Sequence, residues 1–273
     1  MTASLGAGGP PEPAGGNAPG AMSADVAPSA RRNELAAALV AVERRLAEAC
    51  AGAGRPRADV TLIAVTKTFP ASDVALLADL GLREVAENKD QEAKVKHAEL
   101  SALGLRWHFV GQLQRNKARS VVRYADVVHS VDRPELVEAL GTAAGRLREH
   151  PLDVLLQIDL SEAAEGSPGH GGAARGGVRP DELGRLADAV EVQPALRLRG
   201  LMAVAPLDAD PESAFARLAQ VASGLVKTYP EAGWVSAGMS ADLEAAIRNG
   251  ATHVRVGSAL LGKRVTGHGS VRP

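Results

Sequence analysis

Lys67 stands directly after the apolar run Leu62-Ile63-Ala64-Val65-Thr66, so it leaves the end of a predicted strand from largely apolar surroundings. Desolvation disfavours a charged amine, and a lysine held closer to neutrality is a candidate nucleophile for Schiff-base formation with a carbonyl. Position alone also fits a solvated strand-end lysine, which is the commoner case. A second cluster lies near the C-terminus. Gly238-Met239-Ser240 precedes Ala241-Asp242-Leu243-Glu244, where Ser240 reads as a helix N-cap with acidic residues in or just beyond the first turn. Val254-Arg255-Val256-Gly257-Ser258 follows, with Gly257 permitting close backbone approach. Exposed amides in such loops and at helix N-termini suit a phosphate. A strand-end lysine facing a phosphate seat points to a ligand that carries both an aldehyde and a phosphate.

Other polar residues admit blander readings. Glu87-Asn88 closes a predicted strand, and in Trp107-His108-Phe109-Val110-Gly111 the alternation puts His108 and Val110 on one face. A lone strand histidine is more often a hydrogen-bonded core residue than a catalyst. Lys117 and Arg119 read as the solvent face of the next helix.

The elements that must position these residues recur along the chain. Short apolar runs at 60–66, 83–87, 106–110, 126–131, 152–160, 196–204, 234–238 and 252–257 alternate with amphipathic stretches of helical period. That alternation predicts parallel βαβ units. A closed (β/α)8 TIM barrel accommodates eight strands without an edge, although periodicity alone also fits an open doubly wound sheet. Function in such a barrel gathers at the C-terminal ends of the strands, with phosphate commonly held after strands seven and eight. An extra N-terminal helix is predicted from Arg31, with Leu35, Leu39, Val42, Leu46 and Cys50 on one stripe and Gly52 and Gly54 ending it.

Residues 1–30 hold six Gly, five Pro and eight Ala and read as a disordered tail, too poor in apolar side chains to offset chain entropy. They lack the basic start and continuous apolar stretch of a signal peptide. Removing them leaves 31–273, close to the roughly 250 residues of one barrel. The chain has 273 residues, 45% hydrophobic, 23% charged and 3% aromatic, with 31 basic and 32 acidic residues. The balanced charge argues against generic nucleic-acid binding, and no run approaches a membrane span. Cys50 is the single cysteine, which excludes an intrachain disulfide framework and fits a reducing, cytoplasmic setting.

Seven segments, LIAVTKTFPASDV (62–74), AENKDQEAKVK (86–96), WHFVGQLQRNKAR (107–119), VVHSVDR (127–133), LLQIDLS (155–161), LRGLMAV (198–204) and GMSADLEAAIRNGATHVRVGSALLG (238–262), resemble in order the pyridoxal phosphate (PLP) homeostasis proteins. The barrel of that family is similar to the N-terminal domain of alanine racemase. The resemblance implies that Lys67 forms the internal aldimine with PLP and that Arg255 approaches the pyridine nitrogen. It implies that Ser240, the Met239 backbone, Gly257 and Ser258 hold the phosphate, while Asn88 and His108 line the pocket. An arginine at the ring nitrogen disfavours pyridinium and weakens the cofactor as an electron sink.

Two segments depart from the family pattern. Ala86-Glu87-Asn88-Lys89 stands where the family usually has Gly-Glu-Asn-Tyr, so the tyrosine's role is absent or altered. The loop 161–180 is longer and glycine-rich, lacks the family's lysine, carries Arg175 and Arg179, and reads as mobile.

The resulting expectation is a cytoplasmic, monomeric carrier that buffers PLP and passes it transiently to PLP-dependent apo-enzymes. The main alternative is a weak amino-acid racemase. Racemases of the two-domain type take an opposite-face tyrosine from a second domain, for which the chain after the eighth strand has no room, and Tyr124 and Tyr229 fall near helix C-termini. The second alternative is a Schiff-base lyase or isomerase using His108, His129, Glu87 or Asp159 as acid or base.

Overall fold

The computed structural model describes residues 26–161 and 176–262. The tail 1–25, most of the 161–180 loop including Arg175, and 263–273 lie outside these residues. Strands β1 (Thr61–Val65), β2 (Glu84–Glu87), β3 (Arg106–Phe109), β4 (Val127–Val131), β5 (Leu152–Gln157), β6 (Leu196–Met202), β7 (Trp234–Ser236) and β8 (His253–Val256) pair in parallel in sequence order, and β8 closes on β1. The open-sheet alternative is therefore excluded, and every predicted run contains its strand.

Alternation divides the side chains between two environments. Outward residues pack under the helices in two apolar clusters, one under the helices of the β3 to β7 arc and one around β1, β2 and β8. The interior is more polar than the branched aliphatic layers usual in this fold. It holds a small apolar group of Val127, Leu155 and Met202 together with buried His108, His129, Ser236 and Arg255.

Helix α1 (Val26–Gly52) starts five residues before the Arg31 predicted from its stripe. Pro28 falls in its first turn, where the backbone N–H has no intrahelical partner to lose. Leu35, Val42, Leu46 and Cys50 are buried, as their spacing requires. Helices α2 (Ala71–Asp79), α3 (Asp90–Glu99), α4 (Ala118–Val121), α5 (Pro134–Leu147), α6 (Leu183–Glu191), α7 (Pro211–Thr228), α8 (Leu243–Arg248) and α9 (Ser258–Leu261) complete the described helical layer. Arginines bind α1 to it. Arg31 donates to both Asp73 carboxylate oxygens and to Leu261 O, and Arg45 donates to Glu244 Oε1 and Ser240 O. The helix thus reaches directly to the loops at the C-terminal mouth.

Candidate functional site

Lys67 lies two residues past β1, half-buried, on the wall of a mouth cavity of about 480 Å³. The segment that carries it is held from outside the barrel. Lys96 on α3 is 5% exposed, and its Nζ donates to Thr66 O, Glu87 Oε1 and Glu92 Oε1 at 2.7 to 2.9 Å. Thr66 Oγ1 also donates to Glu87 Oε1, and the Thr68 backbone N–H donates to Glu92 Oε1. Thr68 has φ of 71°, the left-handed region that a β-branched residue avoids at a cost of about 1–2 kcal/mol. The clamp on both sides of Lys67 outweighs that cost. Burial pushes the Glu87 carboxyl up, more than its bonds from Lys96 and Thr66 lower it. This cluster was not singled out from the sequence, although the Glu92/Lys96 spacing of i,i+4 is a legible signal for it.

Arg255 lines the same cavity from β8, in register with Ile63 of β1. Only 5% of the residue is exposed; its Nη1 donates to Ser236 O and Oγ at 2.7 Å and its Nη2 to Ala203 O at 2.9 Å. Those bonds leave Nε–H and one Nη2–H with no partner among the described hydrogen bonds. Burial lowers its pKa to about 10, so the guanidinium remains charged at neutral pH.

The loops after β7 and β8 supply the rest of the wall. Gly238 adopts φ of 88°, and a Cβ there would meet Ala246 Cβ at 2.6 Å, so only glycine lets the chain pass α8. Gly257 differs: a Cβ there would lie 3.4 Å from Val65 O, so packing does not demand glycine, and its absence keeps the cavity wall open. Ser240 and Ser258 border the cavity. Ser240 is not the N-cap expected from the sequence, because α8 begins at Leu243 behind Asp242. Its Oγ instead accepts from the Ala259 N–H at 3.3 Å, tying the two loops together, and its own hydrogen has no acceptor among the described residues. Met239 also borders the cavity, but its backbone N–H donates to Asp242 Oδ1 at 2.6 Å, so that amide is already engaged.

Two expected pocket residues lie elsewhere. Asn88 borders the neighbouring mouth cavity over β2 to β4, together with Lys89 and Lys117, and its backbone crowds Gly111 too closely for any Cβ. Its Oδ1 is buried without a hydrogen-bond partner. His108 sits inside the barrel, bonded to His129 and Glu84, because alternation along β3 turns it inward with its register partner Val127.

The acids and bases available for lyase or isomerase chemistry are similarly engaged. Glu87 is paired with Lys96, His129 with His108 and Ser236, and Asp159 Oδ1 accepts from the Ser161 N–H. Arg179 is exposed and pairs with Asp181 and Glu182, so it offers no substitute for the family lysine. Arg119 lines an exterior groove beside α5. Tyr124 is buried beside His97, and Tyr229 at the C-terminal end of α7 donates to Asp188. Neither tyrosine borders the Lys67 cavity.

A closed parallel barrel with a lysine after β1, a buried arginine on β8 and two serine-bearing loops defines a class, the barrel of the alanine racemase N-terminal domain. The family model described as "Alanine racemase, N-terminal domain" matches residues 38–265. Within that class the chain belongs to the pyridoxal phosphate homeostasis protein family. It is 42% identical over 245 residues to the pyridoxal phosphate homeostasis protein of Mycobacterium tuberculosis, a match covering 86% of this chain and 94% of that one. The solved structure of PipY from Synechococcus elongatus with PLP bound aligns with a TM-score of 0.67 and 34% identity, covering 80% of this chain and all of PipY. The alanine racemase of Corynebacterium glutamicum shares the fold alone, at 17% identity and a TM-score of 0.59, over 87% of this chain and 62% of the racemase.

Proposed function

We propose that this protein binds PLP in the Lys67 cavity, buffers the free cofactor and hands it to PLP-dependent apo-enzymes in the cytoplasm, as a monomer and without turnover of its own. The convergence of Lys67, Arg255, Ser240 and Ser258 on one cavity is the observation that carries this reading. The donor set fits the cofactor. Bound PLP would supply an aldehyde able to condense with a lysine amine with loss of water. Among the described residues Lys67 is the one lysine on that cavity, and the Lys96 clamp holds the chain on either side of it. Arg255, on β8 next to β1, offers two N–H groups with no partner among the described residues, suited to a ring nitrogen. The Ser240 and Ser258 hydroxyls, with the open wall at Gly257, suit a phosphate. The engaged Met239 amide takes no part in this seat.

Arg255 also supports a carrier over a racemase. A guanidinium that stays charged at neutral pH donates to a ring nitrogen without protonating it, which leaves a weak electron sink. Racemisation further needs a base on the face opposite the lysine. Both tyrosines of the chain lie away from the cavity, which disfavours that chemistry.

Added PLP is expected to give the purified protein an absorbance band that Lys67→Ala abolishes, while the fold, read by circular dichroism, is retained. A protein that stays colourless with excess PLP overturns the proposal. Incubation of the loaded protein with L- or D-alanine is expected to show no turnover approaching about 1 s⁻¹, an ordinary enzyme rate. Racemisation at that rate makes it an enzyme.

A further inference from the structure

A continuous chain of polar side chains runs from the Lys67 cavity through the barrel interior to the opposite rim. Arg255 Nη1 lies 2.7 Å from Ser236 Oγ, Ser236 Oγ 3.0 Å from His129 Nδ1, and His129 Nε2 2.7 Å from His108 Nδ1; His108 Nε2 meets Glu84 Oε2. His108, His129, Ser236 and Arg255 are buried, and the Glu84 side chain is 23% exposed at the far end. Arg106 from β3 and His253 from β8 face this end, where Arg106 pairs with Asp153 and comes within 4.0 Å of Glu84.

Hydrogen-bond satisfaction gives every link a direction. Burial pushes Glu84 up, but the His108 bond and its cationic neighbours outweigh this and hold the carboxyl below its ordinary value, so it only accepts. His108 Nε2–H donates to it. Complete burial holds His129 neutral, with a single ring N–H. If that hydrogen is on Nε2, it donates to His108 Nδ1, and His129 Nδ1 accepts the Ser236 hydroxyl hydrogen. The Ser236 Oγ lone pairs then face Arg255 Nη1. In the reverse arrangement Ser236 Oγ would receive donors from both Arg255 and His129, with no acceptor in the chain for its own hydrogen. The forward direction alone gives each donor of the chain an acceptor. Such a fully satisfied, aligned row in a low-dielectric interior strengthens its members.

The structure assigns His129, His108, Ser236 and Glu84 as a positioning chain that fixes the orientation of the Arg255 guanidinium toward the cavity and couples the lower-rim carboxylate to the cofactor ring. This inference rests on the reading that PLP occupies the Lys67 cavity with its ring beside Arg255. Fixing Nη1 on Ser236 determines where the unpartnered Nε–H and Nη2–H point. Losing the Ser236 hydroxyl removes one of the two bonds that set Nη1 and loosens the guanidinium, while the backbone acceptors Ser236 O and Ala203 O keep it in the barrel.

The test uses the full chain with Ser236→Ala, Glu84→Gln and His129→Phe, probed with PLP and with pyridoxine 5′-phosphate. The latter keeps the ring nitrogen and phosphate but lacks the aldehyde, so it reports on Arg255 and the seat independently of Lys67. Ser236→Ala is expected to weaken pyridoxine 5′-phosphate binding roughly tenfold, the size of one lost charged hydrogen bond. It should also move the absorption maximum of the PLP complex. Glu84→Gln, which keeps an acceptor but removes the charge, should move that maximum in the same direction by a smaller amount. His129→Phe breaks two links at once; if it fails to fold, the first two variants decide. A purely structural chain would lower the unfolding midpoint while leaving absorption maximum and affinity at wild-type values, and that result overturns the assignment. A wild-type protein that takes up no PLP overturns the reading of the cavity itself, and the inference with it.

Discussion

At the scale of the residue, buried groups are held by partners chosen for their protonation state. His129 is pushed well below its ordinary pKa by burial, with nearby His108 and Arg255 adding to the effect, and burial brings His253 down to about 3. Both stay neutral in the folded chain at a pH where the unfolded chain takes up protons, so stability falls as pH drops below about 6.5. Going from pH 7 to 5.5 is expected to remove roughly 2–3 kcal/mol for the two rings together, read by urea unfolding at each pH. His253→Gln should remove about half of that loss. An unchanged stability between the two pH values contradicts the neutral assignment. Glu84 does not interfere in this window, because a lowered carboxyl gives up its contribution only as pH falls below the ordinary carboxylate value of about 4.5. Lys67, Ser240, Gly257 and Ser258 are legible as candidates because their types sit at a strand end and in adjoining loops, whereas Arg255 enters as a candidate only through the family resemblance. His108, which the resemblance puts in the pocket lining, lies inside the barrel bonded to His129 and Glu84 and does not border the Lys67 cavity. Its own alternation gave only which residues share its face, while its depth in the barrel depended on the registers of β2 and β3, which no local pattern carries.

At the scale of the element, α1 does more than cover the barrel. Arg45 bonds both Glu244 on α8 and the Ser240 carbonyl, so a helix outside the barrel restrains a loop that lines the cavity. Arg45→Ala is expected to cost about 0.5–1 kcal/mol in unfolding free energy, since the pair is partly exposed. It should also weaken PLP retention about threefold, measured by dialysis against a PLP-free buffer. Wild-type retention with a lowered unfolding midpoint would show that α1 stabilises the barrel without setting the seat. The stripe of α1, the strand runs and the glycine stop were legible because burial on one face imposes its period on the sequence. The helix start and the true cap of α8 were not. Pro28 is compatible with a first turn as well as with a tail, and Ser240 satisfies the capping pattern while its hydroxyl is drawn to Ala259 on another element.

At the scale of the whole molecule, the exposed large apolar side chains among the described residues include Val40 on α1, Val95 on α3, Val192 after α6 and Leu207 before α7. The proposed one-chain carrier predicts that sedimentation with and without PLP gives a species of one chain, and a PLP-independent dimer contradicts it. Among the described residues no helix is long and apolar enough to cross a membrane. Composition, period and motif order determined the βαβ alternation, the family and the strand-end lysine, because each leaves its mark within a few residues of chain. Closure of β8 on β1 was decided only in three dimensions. That closure places Arg255 beside Ile63, almost two hundred residues away in sequence, and so brings Arg255 to the Lys67 cavity. The interior chain from Arg255 to Glu84 was decided there too. It depends on the registers of five strands at once, and a hydrogen bond between strands leaves no trace in the sequence of either one.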